Sequence, residues 1–189
     1  RRFDNLEGTK GDKTFDQLEQ FQNIGAFIQQ EWIINKSFRT TFGIRSDINK
    51  LKATDRYLND GDGTGKRTLN NVNPLIGFIY SIRKNINLYG NYSTHFETPT
   101  LNELSNNPDP SSSGGFNPGL NPQYAKNVEL GLKGFFNENL FIEMAAFKID
   151  ALDEIIPFEL PDLPGRTFYR NAGTSFRKGF EFGLNSRLS

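Results

Sequence analysis

Residues 38–47 read Phe38-Arg39-Thr40-Thr41-Phe42-Gly43-Ile44-Arg45-Ser46-Asp47, and apolar side chains alternate there with polar ones. Because successive side chains of a β-strand point to opposite faces, the apolar residues would share one face and the charged residues the other. The preceding stretch, Asn23–Trp32, also has period two, and Asn35-Lys36-Ser37 between them is typical of a short turn. The sequence therefore predicts a β-hairpin with one apolar face and one charged face.

The same pattern repeats along the chain. A second hairpin is predicted over 74–96 and a third over 127–144, with tight turns near 83–85 and 137–139, and a last strand ends at Phe180–Leu184. Long polar segments separate the hairpins near 50–72, 97–124 and 151–165. Short and long connections thus alternate, which is typical of an outer-membrane barrel with tight periplasmic turns and long extracellular loops.

Strand length supports a membrane barrel. The predicted strands have about ten to thirteen residues, whereas a tilted membrane strand needs about nine to eleven and soluble strands have about five or six. We predict an all-β fold, an antiparallel up-and-down transmembrane β-barrel segment with about seven wall strands over 22–189 and an extracellular loop over 1–21. Its polar face would line a wet lumen, and the alternative is a soluble β-sheet module with one solvated face.

Composition excludes several classes. The chain has 22 Lys+Arg and 22 Asp+Glu, so it lacks the basic excess that nucleic-acid binding needs. Without cysteine there is neither a disulfide framework nor a thiolate metal site. A mean hydropathy of −0.58 without a long apolar run argues against a transmembrane helix, but barrel strands that alternate in polarity average to such values.

Two predicted strands have mixed faces. Phe141 and Phe147 share the parity of Glu143, and Lys178 shares the parity of two phenylalanines, Phe176 and Phe180. A β-bulge would restore the phase of either strand, and a lysine close to a membrane interface can extend its ammonium group to water.

Four segments resemble TonB-dependent outer-membrane receptors. They are Gln30-Glu31-Trp32 on a strand, Pro99-Thr100-x-x-Glu103-Leu104, Asn121-Pro122 before Glu129-x-Gly131-x-Lys133, and Asn171-x-Gly173 before Lys178-Gly179-x-Glu181. They occur in the family's order, each on or beside a strand that periodicity already predicts. At Gly131, Gly179 and Gly183 we expect another surface to approach the sheet closely.

The resemblance implies a parent barrel of twenty-two strands in the Gram-negative outer membrane, with a plug domain and a TonB box that couples import to the inner membrane. The chain shows neither plug nor TonB box and stops at Arg187-Leu188-Ser189, so we expect an internal part of the barrel. The expected substrate is a ferric siderophore or similar metal chelate. The other expected partners are TonB, the plug and outer-membrane lipid, with no cofactor and no nucleic acid. A passive porin-like channel and a soluble binding module are the alternatives.

In such a receptor, Arg56, Tyr57 and Arg166 in the loops and His95 at the lumen mouth would contact the ligand. An ordinary solvated loop is the alternative for the three loop residues, and contact with the plug or with water is the alternative for His95. We predict neither catalysis nor a bound metal ion. Ser93 and His95 lie on one strand two residues apart, about 7 Å, which is beyond hydrogen-bond reach. Asp60–Gly65 has a calcium-loop-like start but Asn71 in place of the glutamate that such loops require.

Overall fold

The computed structural model describes residues 1–109 and 115–186. Its seven long strands are β3 Gln17–Ile33, β4 Phe38–Asp55, β5 Gly65–Arg83, β6 Ile86–Glu97, β7 Gln123–Asn137, β8 Leu140–Leu152 and β11 Thr174–Ser186. They form one antiparallel sheet in the order β11-β8-β7-β6-β5-β4-β3. Each strand pairs with its neighbours in the sheet's chain order, so the predicted up-and-down fold with seven wall strands is confirmed.

Two small hairpins and one short helix complete the structure. β1 Arg2–Leu6 pairs with β2 Thr9–Phe15, and β9 Ile155–Glu159 pairs with β10 Thr167–Asn171. The helix α1, Leu101–Ser105, begins with a capping box in which Thr100 and Glu103 satisfy each other's backbone N–H groups. Within the described residues, no helix is long and apolar enough to cross a membrane.

Backbone pairing assigns the side chains of the seven strands to two faces. Phe42 lies opposite Ile76, which lies opposite Tyr92 on the next strand. Apart from register shifts beside two turns, even-numbered residues pair with even-numbered residues throughout the sheet. We call the even-numbered side the outward face and the odd-numbered side the inward face. Large exposed apolar side chains cover the outward face, including Ile24, Ile28, Trp32, Ile44, Ile48, Val72, Ile76, Val128, Leu130, Phe180, Phe182 and Leu184.

Connections at the two ends of the sheet differ in length, as predicted. The turns 34–37, 84–85 and 138–139 lie at one end, and the segments 56–64, 98–122 and 153–173 lie at the other. The strands extend further than polarity indicated, because β4 and β5 stay paired as far as Ala53 and Gly65. The outward positions there are mainly lysines, but the inward side chains Leu51, Ala53 and Leu69 are apolar and buried. Residues 1–21 likewise contain β1, β2 and the start of β3. Residues 110–114 of the predicted connection 97–124 lie outside the described residues, and so do residues 187–189 at the end of the predicted wall.

The mixed parities have a simple explanation in the register. β8 and β11 pair without a shift from Leu140 to Leu152, so the suggested β-bulge is absent from this pair. Phe147 therefore lies on the inward face, directly opposite Gly179. A Cβ atom at Gly179 would lie 2.6 Å from Phe147 Cζ, so the glycine makes room for the ring.

At Gly131, as at Gly179, an aromatic ring of the adjacent strand occupies the space that a Cβ atom would fill. A Cβ atom there would lie 2.3 Å from Tyr89 Cζ on the adjacent strand. At these two glycines the groups that approach the sheet are aromatic rings of neighbouring strands, whereas a Cβ atom at Gly183 would have no atom nearer than Glu143 Cβ at 3.8 Å.

A small apolar core lies on the inward face at the end with the long connections. Leu51, Ala53 and Leu69 of β4 and β5 are buried against Leu104, Phe116 and Leu120. The described parts of the segment 98–122, residues 98–109 and 115–122, therefore fold over the inward face. The approach is close: Gly115 donates its backbone N–H to the Thr64 carbonyl at 3.0 Å, and a Cβ atom at Gly115 would lie 1.6 Å from the Gly63 carbonyl oxygen.

Candidate ligand-binding site

A cavity of about 610 Å³ lies among the long connections. The start of β3, the segment 56–64, the region around α1 and the β9–β10 hairpin all contribute to its lining. Tyr57 and Arg166, two of the four predicted ligand residues, both line this cavity. The structure thus brings together side chains that are more than a hundred residues apart in the sequence.

Hydrogen bonds to carboxylates shape the segment that carries Tyr57. Asp55 accepts the backbone N–H of Tyr57 at 2.8 Å and that of Gly63 at 2.9 Å, so its carboxylate joins the two ends of the segment. Asp62 accepts the Thr64 N–H at 2.9 Å. The hydroxyl and backbone N–H of Thr64 hold the pKa of Asp62 below its ordinary value. The Asp-Gly repeat is therefore a hydrogen-bonded turn.

Arg166 is held over an aromatic ring. Its guanidinium carbon lies 5.0 Å from the centre of the Phe168 ring, and Phe168 is fully buried. The backbone N–H of Arg166 donates to the Leu163 carbonyl at 3.3 Å. Arg170 has a similar setting, 5.2 Å from the Phe158 ring, but it does not line the cavity. The hairpin therefore presents two comparable guanidinium groups, of which only Arg166 lines the cavity.

The cavity lining is rich in carboxylates. Five acidic side chains line it against two arginines, and they are Glu19, Asp55, Asp60, Asp62 and Asp109 against Arg2 and Arg166. Glu19 and Asp55 give no sequence signal of a binding role, because each lies in a strand and neither belongs to a recognisable motif. The lining carries an excess of negative charge, which disfavours a strongly anionic ligand.

Arg56 and His95 lie elsewhere. Arg56 is exposed and outside the cavity lining, with its backbone N–H donating to the Asp16 carbonyl at 2.7 Å. His95 lines a second cavity of about 360 Å³ together with Glu97, Glu154 and Arg177.

The environment of His95 corrects one geometric expectation. Ser93 Oγ lies 3.3 Å from His95 Nε2, although the residues are two positions apart on one strand. The backbone spacing is about 7 Å, but both side chains lie on the inward face and lean toward each other. In the same cavity, Ser175 and Arg177 hold the pKa of Glu154 below its ordinary value. Arg177 also forms a 3.0 Å ion pair with this carboxylate.

Arg67 has a structural role that its sequence context does not indicate. It lies on the inward face of β5 and donates through Nη1 to the carbonyl oxygens of Leu120 and Asn117, the latter at 3.4 Å. It thus attaches the segment 98–122 to the sheet. A lone arginine in a polar stretch gives no signal of such a contact, since its acceptors lie about fifty residues away.

The family model of the TonB-dependent receptor-like β-barrel matches residues 1–189. The chain belongs to this TonB-dependent receptor family. Members are transporters of the Gram-negative outer membrane and not enzymes, so the protein is assigned to that membrane and the Ser93–His95 contact is not assigned to catalysis. The outward face of the TonB-dependent receptor sheet then meets lipid, and the inward face lines the lumen.

Named relatives agree with the family. The iron-regulated outer membrane virulence protein of Vibrio cholerae is 28% identical over 158 residues, which are 79% of this chain and 22% of the relative. The siderophore receptor PiuA of Acinetobacter baumannii has a TM-score of 0.70 and 20% identity, with 92% of this chain and 24% of that chain covered. For the copper transporter OprC the TM-score is 0.73 and the identity 18%, with 90% and 27% covered. The chain thus spans about a quarter of the length of these relatives.

Proposed function

We propose that the full-length protein imports a metal chelate, a ferric siderophore in particular, across the outer membrane with energy supplied through TonB. The observation that carries this proposal is the cavity among the long connections, which lies where the segment 98–122 folds over the inward face of a receptor-type wall. Loops attached inward by Arg67 and by the core around Leu104 place polar side chains where a ligand in this cavity can be held.

The relatives support iron as the metal. One is named for its regulation by iron and another as a siderophore receptor. The copper transporter has the same fold, so the fold alone does not select the metal. Selection would then depend on the loops, which differ most among proteins that share a wall.

The lining suggests the charge of the chelate. Because carboxylates outnumber guanidinium groups around the cavity, we propose a neutral or cationic ferric chelate rather than a highly anionic one. Tyr57 and Arg166 would donate hydrogen bonds to its oxygen atoms. Arg56, outside the cavity, would contact the ligand first, and His95 would contact it deeper in the lumen.

Energy coupling requires the plug and TonB, which we propose as partners of the full-length protein. The inward face offers a polar network for such contacts. Arg45 donates two hydrogen bonds of 2.7 Å to Asp47, and Asn23 donates to Asp47 at 3.2 Å and to Asn49 at 2.8 Å. These side chains already satisfy one another, which keeps them ordered beside a moving plug.

Growth and uptake test the proposal. A strain that lacks the full-length protein is grown under iron limitation on single chelates, and uptake is compared between wild type, Arg166→Gln and Arg170→Gln. We expect growth to depend on the protein for a neutral or cationic ferric chelate. Loss of a charged hydrogen bond at Arg166 should weaken chelate binding about tenfold or more. Arg170→Gln should leave binding unchanged, because Arg170 has the same aromatic support outside the cavity.

Two results would reject the proposal. Indifference of the deletion strain to every iron source would reject the substrate class. Uptake that continues after the membrane proton gradient is dissipated would reject energy coupling and would favour a passive channel.

A further inference from the structure

Lysine dominates the charged residues on the outward face. Across the seven strands that face carries six lysines and one aspartate, and they are Lys50, Lys52, Lys66, Lys126, Lys148, Lys178 and Asp150. The inward face of the same strands mixes acidic and basic residues, for example Arg45 with Asp47. All six lysines lie in the halves of their strands nearest the long connections. If these charges served only to keep the membrane boundaries hydrated, we would expect charges of either sign at both ends of the strands.

Three of these lysines form a cluster on adjacent strands. Lys148 and Lys178 are direct cross-strand partners, and Lys126 lies across from Asp150. We call Lys126, Lys148 and Lys178 the lysine cluster. Directly opposed residues have Cβ atoms about 4.5–5.5 Å apart, so opposed like charges destabilise a sheet. The same arrangement recurs where Lys52 lies opposite Lys66.

Protein groups neutralise the lysine cluster only in part. Asp150 is the one carboxylate on the outward face of these strands, and it forms a 2.7 Å ion pair with Lys148. Within the described residues, neither Lys126 nor Lys178 forms an ion pair with a carboxylate. All three lysines are exposed. The cluster therefore keeps a net positive charge that a ligand from outside the chain can balance.

The lysine cluster adjoins the apolar surface of the wall. Along β11 the outward residues run Leu184, Phe182, Phe180 and then Lys178, and along β8 they run Ile142, Met144, Ala146 and then Lys148. The lysine stems can lie along this surface while the ammonium groups reach the polar boundary. An amphipathic ligand would match this surface if its acyl chains lay on the apolar part of the wall and its negative charge lay beside the ammonium groups.

We propose that the lysine cluster binds the phosphate groups of a phosphorylated lipid in the outer leaflet. The acyl chains lie against Phe180, Phe182 and Leu130, which are more than half exposed on the outward face. Phosphate supplies several anionic oxygen atoms and therefore relieves the repulsion between Lys148 and Lys178. This site is separate from the chelate cavity, which lies on the inward side.

Lipid binding to the purified full-length protein in detergent tests this site. Native mass spectrometry counts the bound lipid during titration with bisphosphorylated lipid A, and with the same lipid after its phosphates are removed. The variant is Lys148→Gln with Lys178→Gln. The matched control is Lys36→Gln with Lys84→Gln, which removes two lysines from the turns at the other end of the sheet.

We expect the Lys148/Lys178 variant to bind the phosphorylated lipid about 10- to 30-fold more weakly, while the turn control binds like wild type. Lys178→Arg should retain binding because it keeps the charge. The proposal is overturned if the variant binds like wild type, if the control loses as much affinity, or if the dephosphorylated lipid binds equally well. Displacement of the lipid by an equal concentration of inorganic phosphate would also overturn it, because the site would then hold free anions.

Thermal unfolding separates binding from a structural role. In lipid-free detergent, the Lys148/Lys178 variant should unfold at the wild-type temperature or slightly above it, since a like-charge pair has been removed. The rise in unfolding temperature that phosphorylated lipid gives the wild type should be absent. A lower unfolding temperature without lipid would show that the lysines stabilise the fold itself and would contradict the proposal.

Discussion

The outward and inward faces belong to the same seven strands, yet their side chains are stabilised in different ways. On the outward face, large apolar residues such as Ile44 and Phe180 remain exposed, and lysines gather at one end. On the inward face, charged and polar residues bond to one another, and α1 together with residues 115–122 packs over the end with the long connections. The register of the described strands shifts only beside two turns, and this keeps the two chemistries apart, because a slip of one residue would exchange every side chain between lipid and lumen.

The largest expected effect comes from placing a charge on the outward face. Phe42→Arg puts a guanidinium into lipid, and Thr41→Arg puts the same group on the neighbouring inward position. We expect Phe42→Arg to lower the free energy of unfolding by about 2–4 kcal/mol and Thr41→Arg by about 1 kcal/mol or less. Denaturant unfolding of the full-length protein in lipid vesicles measures both. Equal losses would contradict the separation of the faces.

A smaller effect should follow when the inward packing is disturbed. Gly115→Ala adds a Cβ atom that would lie 1.6 Å from the Gly63 carbonyl oxygen, so the two segments must move apart. Overpacking of this kind costs about 1–3 kcal/mol. Gly119→Ala is the matched control, because the nearest atom to its added Cβ would be 3.4 Å away.

Limited proteolysis and chelate affinity measure this change. Gly115→Ala should make the segment 98–122 more susceptible to cleavage and should weaken binding, since Gly115 also lines the cavity. The Gly119→Ala protein should behave like wild type in both assays. If Gly115→Ala left cleavage and binding unchanged, the close contact between these segments would not hold the loops in place.

Much of the wall was predictable because its side-chain pattern is local. The alternation around Phe42 and Ile44 gives the strand and its faces, and the three tight turns give the hairpins. The parity of Lys178 with Phe180 was also visible in the sequence, although only the pairing with Lys148 shows that two like charges lie opposite each other. Local periodicity is sufficient wherever a strand has one lipid-facing side.

The errors and omissions concern contacts between distant segments. The strand ends 50–53 and 65–68 contain four basic residues but stay paired through their backbones, which those charges do not indicate. The ring of Phe147 fits only because Gly179 lies opposite it on the adjacent strand. Arg67 donates hydrogen bonds to carbonyl groups of a loop about fifty residues away. In the candidate site, the sequence predicted Tyr57 and Arg166 as ligand contacts because of their side-chain chemistry. Only the folded structure shows that they line one cavity and that carboxylates are in excess around it.

The most direct test that this sheet is a membrane wall is whether successive side chains of β4 alternate between lipid and water. Single cysteines at residues 41–48 of the full-length protein carry a nitroxide label in lipid vesicles. Relaxation is measured with oxygen, which dissolves in lipid, and with a water-soluble nickel chelate. We expect labels at Phe42, Ile44 and Ile48 to respond to oxygen and labels at Thr41, Gly43 and Arg45 to the nickel chelate. Access of the nickel chelate to every position, without a period of two, would contradict a membrane wall.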